Sequence, residues 1–424
     1  MARWDADIVI VGAGAAGLMA GIWAGRTAPR TRIVALDGAQ RLGAKILVAG
    51  GGRCNVTHER VTATDFAGSP PEAIRRVLRR FDVAAVVAFF EALGVRLKRE
   101  ASGKLFPATD QARTIRDALL KAAADAGVDC SHPRRVEAIR RADDGFLVCG
   151  NWGALTARHV ILATGGKSLP KSGSDGHGYR LAAALGHTVT STFPALVPLV
   201  LPPDHPLCAL GGITTPATLR VRSGPGKTLA SATGSLLCTH FGLSGPVALD
   251  MSRHWLAARL ADPAAHLVIN WLPALPDADV EQSLQTLGRS TVLRFLSERL
   301  PERLARSLLL LAEVMPTRTG AQLTRAERRA LVSVLTQWVA PVIGDRGFTY
   351  AETTAGGVPL RELDLARMAS RRCPGLYLCG EICDVDGRIG GFNFQWAWSS
   401  GYVAGVAAAQ AVLADTAHGS SNNS

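Results

Sequence analysis

The sequence has 424 residues, of which 47% are hydrophobic and 19% are charged, so it can bury a sizeable core and is long enough for two or three domains. This composition excludes a disordered or fibrous protein. The formal net charge is +12, which favours a polyanionic partner or a polyphosphate ligand, although a merely solvated, arginine-rich surface explains the charge equally well.

The start of the chain and its cysteines predict the compartment. The apolar stretch 8–24 is interrupted by glycines and is preceded by Asp7 rather than by a basic region, a pattern that is untypical of a signal peptide or a membrane anchor. The eight cysteines are scattered without zinc-ligand spacing, so we expect reduced thiols and no metal site. The sequence therefore predicts a cytoplasmic protein without a membrane partner.

The first predicted element is a βαβ unit that contains a GxGxxG motif. Glycines in this turn let backbone N–H groups approach a pyrophosphate at the positive end of the helix. The predicted pyrophosphate contacts are Gly12, Gly14, Ala15, Ala16 and Gly17. Asp37 ends the second strand, where its carboxylate can accept hydrogen bonds from the ribose of an adenosine. The unit therefore predicts a bound dinucleotide.

An amphipathic helix is predicted next, from Ser69 to Leu93, with Ser69 and Glu72 forming a capping box at its start. Four arginines repeat along one face of this helix. They are Arg75, Arg76, Arg79 and Arg80. A solvated face explains this basic stripe most simply, and contact with RNA is the alternative.

The middle of the chain predicts an insertion. A hairpin with a turn at residues 143–145 precedes a buried strand that ends in Thr164-Gly165-Gly166. The composition then becomes proline-rich and β-prone, and later leucine and arginine recur at helical spacing. We therefore predict a first domain made of residues 1–190 and 351–424, a β-rich part made of 191–274 and 341–350, and a helical part at 275–340.

The kind of dinucleotide is predicted by the hairpin, the strand that ends at Gly166, and a second glycine-rich junction near residue 380. Domains that bind FAD with two chain segments have this layout, and NAD-binding domains lack it. Glu381 can hold ribityl hydroxyls, and the helix after Gly391 points its N-terminus at the flavin pyrimidine. The remaining predicted FAD contacts are Lys45, Gly51, Gly52, Arg53, Asn55, Val136, Thr164, Gly165, Gly166, Gly380, Glu381, Gly391, Phe392 and Asn393.

The sequence resembles the bacterial NAD(P)/FAD-dependent oxidoreductases, also known as the aminoacetone oxidase-like FAD-binding flavoproteins. The matching motifs lie at 45–57, 103–107, 239–246, 354–360 and 380–398. The resemblance implies an α/β fold with a Rossmann-like, glutathione-reductase-like FAD domain, an inserted β-barrel and a helical subdomain. Asp37 stands where such folds often have Glu, and Phe392 stands where we expect Tyr, and neither difference changes the predicted cofactor.

Three residues are candidates for catalysis. Arg53 and Cys54 follow the glycines at 50–52, and Cys54 is a candidate to protonate a substrate carbon while the flavin delivers a hydride to the other end of a polarised double bond. A buried thiol that only packs is the alternative for Cys54. The resemblance implies that His240 faces the flavin, as an acid, a base or a donor to a carbonyl, and a histidine satisfied by structural hydrogen bonds is the alternative.

The predicted activity is reduction of an electron-poor C=C bond. No second GxGxxG follows the first, so NAD(P)H visits the flavin transiently or electrons come from elsewhere. Branches of the resembled family are linked to dihydrouridine formation in ribosomal RNA and to bile-acid enone reduction, and the net charge favours RNA. A small-molecule enone, oxidation of an amine by O₂ and a non-catalytic, FAD-bound RNA-binding factor are the alternatives. The oligomeric state stays open.

Overall fold

The computed structural model describes residues 4–142 and 144–421, with side chains described as far as residue 416. It divides into two compact units, one made of Met1–Phe193 with Glu352–Ser424 and one made of Pro194–Ala351. The boundaries predicted from the sequence lie close to these breaks. The separate helical part of the insert stays a prediction.

A nine-stranded sheet forms the centre of the first unit. Its main path runs through Leu363–Asp364, Ala369–Ser370, Leu376–Leu378, Gly153–Leu162, Ala6–Val11, Ile33–Leu36 and Val128–Ser131, and the hairpin Ala138–Ala142 with Gly145–Gly150 continues from Gly153–Leu162. The five strands from Leu376–Leu378 to Val128–Ser131 are parallel. The loops after Val11, Leu36, Leu162 and Leu378 therefore leave the same edge of the sheet, which is where open α/β sheets bind their ligands. The expected Rossmann-like domain is confirmed.

Helices and short strands complete the first unit. The helices are Ala15–Thr27, Ala44–Gly52, Pro71–Leu78, Val83–Ala92, Ala112–Asp125, His177–Ala184 and Phe392–Ser421, with short 3₁₀ turns at Ala63–Asp65, Pro170–Ser172, Leu360–Glu362 and Gly380–Ile382. The short strands are Thr57–His58, Phe66–Gly68, Leu97–Arg99, Lys104–Pro107, Thr353–Ala355 and Val385–Gly387. In one small sheet Lys104–Pro107 lies between Thr57–His58 and Leu97–Arg99, and in another Val385–Gly387 pairs with Phe66–Gly68. These short pieces surround the ligand-binding edge.

The helix Phe392–Ser421 packs closely against the first helix of the chain. An added Cβ on Gly401 would lie 2.5 Å from the carbonyl oxygen of Ala16, and one on Gly405 would lie 2.1 Å from that of Ala20. Both distances are too short for any side chain, so glycine is required for the two backbones to touch. The first helix is therefore held in place by residues from the far end of the chain.

The single helix predicted from Ser69 to Leu93 is wrong, because the structure has two helices, Pro71–Leu78 and Val83–Ala92. Asp82 separates them, and its side chain accepts a hydrogen bond of 2.9 Å from the backbone N–H of Ala85. This cap starts a new helix. The predicted capping box is also wrong, since the Ser69 hydroxyl accepts a hydrogen bond from the N–H of Leu360 instead.

The predicted hairpin is confirmed, with its first strand beginning at Ala138 rather than at Arg135. Within the predicted turn, Asp143 lies outside the described residues. Arg135 instead precedes the strand, and its backbone carbonyl accepts a hydrogen bond of 2.7 Å from the Trp152 indole.

The second unit contains a seven-stranded antiparallel sheet. The strand order is Trp338–Ala340, His266–Asn270, Thr214–Arg222, Thr228–Thr239, Gly242–Ser244, Leu199–Val200 and Gly344–Asp345. The helices are Pro246–Ala261, Asp277–Thr286, Val292–Ser297, Glu302–Leu311 and Arg325–Thr336, with 3₁₀ turns at Pro206–Leu210 and Gly320–Gln322. Only residues 341–343 separate the two end strands, so the sheet curls until its edges approach each other. The residues 338–340, predicted as helical, form a strand because they pair with His266–Asn270.

In the part of the chain that the structure describes, no helix is both long and apolar enough to cross a membrane. Among the same residues, no group of three or more His, Cys, Asp or Glu side chains is placed to hold a metal ion.

The lowered pKa of His254 predicts that the second unit loses stability in acid. Burial and the neighbouring Arg253 cation lower the pKa of His254 from 6.5 to about 4. Because the unfolded chain then binds a proton that the folded chain rejects, stability is lost as the pH falls from 6.5 through about 4. In the variant His254→Asn we expect the unfolding temperature to fall less steeply over this pH range than in the parent, as measured by scanning calorimetry. His266→Asn should keep the parent's slope, and an unchanged slope in His254→Asn would contradict the prediction.

Candidate functional site

The turn after the first strand is packed tightly on one side and open on the other. An added Cβ on Gly12 would lie 2.5 Å from the carbonyl oxygen of Ala163, and one on Gly17 would lie 1.8 Å from that of Gly12. Gly14 caps the helix Ala15–Thr27, and apart from its chain neighbours no atom of the described residues lies within 4 Å of the position of its missing Cβ. The turn therefore presents open space at the positive end of the helix, as a pyrophosphate requires.

Asp37 fastens this turn to the second strand. Its Oδ2 accepts a hydrogen bond from the N–H of Ala13, and its Oδ1 accepts one from the N–H of Ala39, both at 2.7 Å. Burial raises the pKa of Asp37, and the two backbone hydrogen bonds oppose that rise. Each oxygen keeps a second lone pair, so the carboxylate can also accept hydrogen bonds from ribose hydroxyls.

Buried hydroxyls without a partner lie just beyond the strand Gly153–Leu162. Thr164 Oγ1 and Ser174 Oγ are both buried and have no hydrogen-bond partner among the described residues. Gly165, with φ of 72°, follows Thr164 in the chain, and its missing Cβ would lie 2.8 Å from Ser174 Oγ. An unsatisfied buried hydroxyl costs about 1–3 kcal/mol, so this pair fits a polar ligand at the edge of the sheet.

Three distant segments meet at Glu381. Its Oε2 accepts a hydrogen bond from Lys45 Nζ at 2.5 Å, and its Oε1 accepts one from the N–H of Thr354 at 2.9 Å. A Cβ added to Gly166 would lie 2.7 Å from Glu381 Oε1. Thr354 was not among the predicted contacts, although its hydroxyl also accepts a hydrogen bond from the N–H of Lys167. Its place next to the glycines of the 354–360 motif was the signal that could have identified it.

The glycines at 50–52 form an open wall beside a buried amide. All three have positive φ values, and no atom lies within 4 Å of the missing Cβ of Gly51. Asn55 is 9% exposed, and its Oδ1 has no hydrogen-bond partner in the part of the chain described here. The missing Cβ of Gly391 would lie 2.8 Å from that oxygen. Asn55 therefore lies where the glycine-rich loop meets the start of the helix Phe392–Ser421.

The charge of Arg53 is directed at acidic side chains. Its Nη1 lies 2.7 Å from Glu100 Oε1 and 3.6 Å from Asp110 Oδ1. The guanidinium also stacks on Phe106, with its carbon 4.0 Å from the ring centroid. These contacts neutralise the cation and brace the strand Lys104–Pro107 behind the loop.

The Cys54 thiol is fully buried. Burial raises the pKa of Cys54 well above its ordinary value, so the thiol stays protonated. Since it has no exposed surface, no substrate can reach its proton in this arrangement. Cys54 thus fills space in the core next to the loop.

The predicted contacts near the C-terminal helix have structural partners as well. Phe392 is fully buried and stacks on His58 with ring centroids 5.1 Å apart. The Asn393 amide donates to the carbonyl of Gly387 and accepts from its N–H, both at 2.8 Å. These contacts fix the start of the helix against the strand Val385–Gly387.

The two glycine-rich strand ends are in direct contact. An added Cβ on Gly380 would lie 2.7 Å from the Cβ of Ala16, so the distal junction lies against the first helix. Val136 is buried behind the hairpin. His240 belongs to the second unit, where it is exposed and its ring centroid lies 5.0 Å from that of Phe241.

These features fit FAD. The open sides of Gly14 and Gly51 allow a ligand to approach the backbone closely, and the unpartnered oxygens of Thr164 and Asn55 await hydrogen bonds. Asp37 has spare lone pairs for the adenosine ribose. An elongated dinucleotide would use all of these groups.

Comparisons with known proteins agree with this site. The family described as HI0933-like protein Rossmann domain matches residues 6–407. The chain is 34% identical to 3-dehydro-bile acid delta(4,6)-reductase of Clostridium scindens, over 95% of this chain and 99% of that protein. It is 33% identical to ribosomal RNA dihydrouridine synthase of Escherichia coli, over 95% of this chain and 97% of that protein.

Among solved structures, 3-ketosteroid delta1-dehydrogenase from Sterolibacterium denitrificans has a similar fold. The TM-score is 0.50 at 15% identity, and the alignment covers 96% of this chain and 99% of that chain. At this identity the likeness concerns the fold alone. The sequence relatives and the site together identify the chain as a member of the HI0933-like family of Rossmann-domain flavoproteins and as an FAD-dependent oxidoreductase.

Proposed function

We propose that this enzyme reduces an electron-poor C=C bond with electrons from NAD(P)H, and that its substrate is uridine in ribosomal RNA. The observation that carries the proposal is the pair of relatives at 34% and 33% identity. One is named for reducing a bile acid and the other for making dihydrouridine. Both reactions add two hydrogens to a C=C bond that is conjugated to a carbonyl group, so the shared chemistry extends to this chain.

FAD in its reduced form, when bound, supplies a hydride to one carbon of such a bond. The chain contributes an open glycine wall at 50–52 and a buried amide at Asn55 whose oxygen is free to accept a hydrogen bond. The N-terminus of the helix Phe392–Ser421 adds positive potential, which favours negative charge in its vicinity. Because Cys54 is fully buried, the second hydrogen, a proton, comes from a solvent-accessible donor instead.

The choice between RNA and a small enone depends on charge. The net charge of +12 suits a polyanion, because each contact with a phosphate adds to the affinity for RNA. A bile acid has one carboxylate, so its binding does not require so large a charge. Reduction of a small enone is the second candidate, and the 34% identity to the bile-acid reductase supports it. NAD(P)H would visit the flavin transiently, since the sequence has no second GxGxxG.

Single-turnover reduction tests the proposal. The FAD-loaded enzyme is reduced with NADPH without oxygen, and the flavin absorbance is followed after mixing with ribosomal RNA fragments from a strain that lacks the gene. We expect reoxidation of the flavin and a gain of two hydrogens per modified uridine by mass spectrometry. A matched sample receives a 3-oxo-4,6-diene steroid. Reoxidation by the steroid alone would favour the small-enone candidate, and reoxidation by neither would contradict the proposed reaction.

A further inference from the structure

A groove in the first unit lies between the helix Pro71–Leu78 and the segment 59–64. Its cavity has a volume of about 570 Å³, which is in the range of small-molecule sites and large enough for a nucleotide. Three arginines line it, Arg60, Arg75 and Arg79. All three are exposed. We call this feature the arginine groove.

Two carboxylates also line the arginine groove, of which Glu59 is paired with a cation that does not line it and Asp82 keeps its negative charge. Glu59 pairs with Arg99 at 2.6 Å, and Asp82 accepts the hydrogen bond that caps the next helix. Arg75 forms an exposed ion pair with Glu72 at 2.7 Å, a kind of contact that contributes little and exchanges readily.

Arg60 and Arg79 carry the unbalanced charge of the groove. Neither has an ion-pair partner in the described residues 4–142 and 144–421. Their guanidinium groups can each donate two parallel hydrogen bonds to one phosphate. The groove therefore presents unneutralised positive charge in a concave site, which concentrates anions there.

The arginine groove is close to the glycine wall. Arg60 follows Asn55 by five residues, a length of chain that spans at most about 18 Å when fully extended. Gln395 lines the groove from the first turns of the helix Phe392–Ser421, and its Oε1 accepts a hydrogen bond of 2.6 Å from the Thr57 hydroxyl. Asn55 and the groove residues 59–64 thus flank the β-strand Thr57–His58, and both lie near the start of the same helix, so a few nucleotides of RNA could occupy both.

We propose that the arginine groove binds the phosphodiester backbone of single-stranded RNA beside the nucleotide that is reduced. The inference rests on the proposed RNA substrate and adds where that substrate is held. Charge complementarity favours a polyanion, because a bile acid has at most one carboxylate to offer the three arginines. Since phosphate contacts carry no sequence information, the arginine groove would position the RNA, and the glycine wall with the Asn55 amide would select the base.

The test compares two pairs of exposed arginines from residues 60–80. Arg60→Ala with Arg79→Ala removes two cations of the groove, whereas Arg76→Ala with Arg80→Ala removes two exposed cations that do not line it. Binding of the FAD-loaded proteins to a fluorescent oligouridine is measured by anisotropy over a range of salt concentrations. We expect the groove pair to weaken binding at low salt by about 10- to 100-fold, with a smaller slope of log K against log salt.

The control pair should bind within about threefold of the parent. Equal losses in the two pairs, no loss in the groove pair, or no RNA binding by the parent at low salt would each overturn the inference. Flavin reoxidation by RNA is measured in parallel. A parent that binds RNA through the groove without reducing it would refute the proposed function alone, and a parent that reduces RNA with equal losses in both pairs would refute the groove alone.

Discussion

Gly14→Asp is expected to give a folded protein that has lost its FAD. The missing Cβ of Gly14 has no atom within 4 Å, and its φ of −81° suits any residue. Aspartate is also a favourable residue at a helix N-cap, so the fold should not suffer. Its carboxylate would instead occupy the pyrophosphate position, where it repels the ligand and removes charge-assisted hydrogen bonds of about 1.5–3 kcal/mol each. FAD affinity should therefore fall by about 100-fold or more.

Flavin absorbance of the purified protein and titration of the apoprotein with FAD measure this loss. The control is Gly344→Asp, since Gly344 of the second unit also has no atom within 4 Å of its missing Cβ and has no strained φ. That variant should keep its flavin. Tight FAD binding by Gly14→Asp would show that the pyrophosphate does not bind at this turn.

Gly17→Ala is expected to destabilise the first unit as a whole. The new Cβ would lie 1.8 Å from the carbonyl oxygen of Gly12 and 3.3 Å from the Cβ of Ala163. The obstacle is backbone, which cannot rotate away, so the first helix must move off the sheet. Overpacking of this kind costs about 3 kcal/mol or more, which is a large part of the stability of a domain.

Gly21→Ala provides the matched control for this substitution. The two glycines lie on the same helix, but at Gly21 the nearest atoms are side-chain methyl groups of Ile10 and Val128 at 3.2 Å. The helix-forming preference of alanine, about 1 kcal/mol over glycine, should offset most of that crowding. Urea unfolding followed by circular dichroism should show a much lower midpoint for Gly17→Ala than for Gly21→Ala. Equal midpoints would contradict the tight approach of helix and strand.

The parts of the fold that depend on residues close together in the chain could be predicted from the sequence. The strand, glycine turn and helix at residues 6–27 are encoded within one short segment, and so is the acid at Asp37. The break between the helices Pro71–Leu78 and Val83–Ala92 was missed, because Arg79, Arg80 and Phe81 continue the helical pattern. The first helix ends because Asp82 caps the start of the second helix. Helix propensity alone does not show that this cap prevails over continuation of the first helix.

Long-range partners explain most of what sequence reasoning missed at the site. Arg53 was expected beside the flavin, and the acidic partner that neutralises it, Glu100, lies 47 residues further along the chain. Thr354 escaped notice because its role depends on Glu381 and Lys167, which approach it only in the folded sheet. A motif can show that residues belong to a site, whereas the direction of each side chain depends on packing.

The contact between the last helix and the first has a consequence during synthesis on the ribosome. Gly401 and Gly405 touch the backbone of Ala16 and Ala20, so the helix Ala15–Thr27 cannot reach its final packing until residues 401–405 have been made. The nascent chain therefore carries an incomplete nucleotide fold until these residues emerge from the ribosome, and its exposed apolar surface invites chaperones. Cofactor loading has to wait for the same residues, and a product that is terminated before them would emerge without flavin.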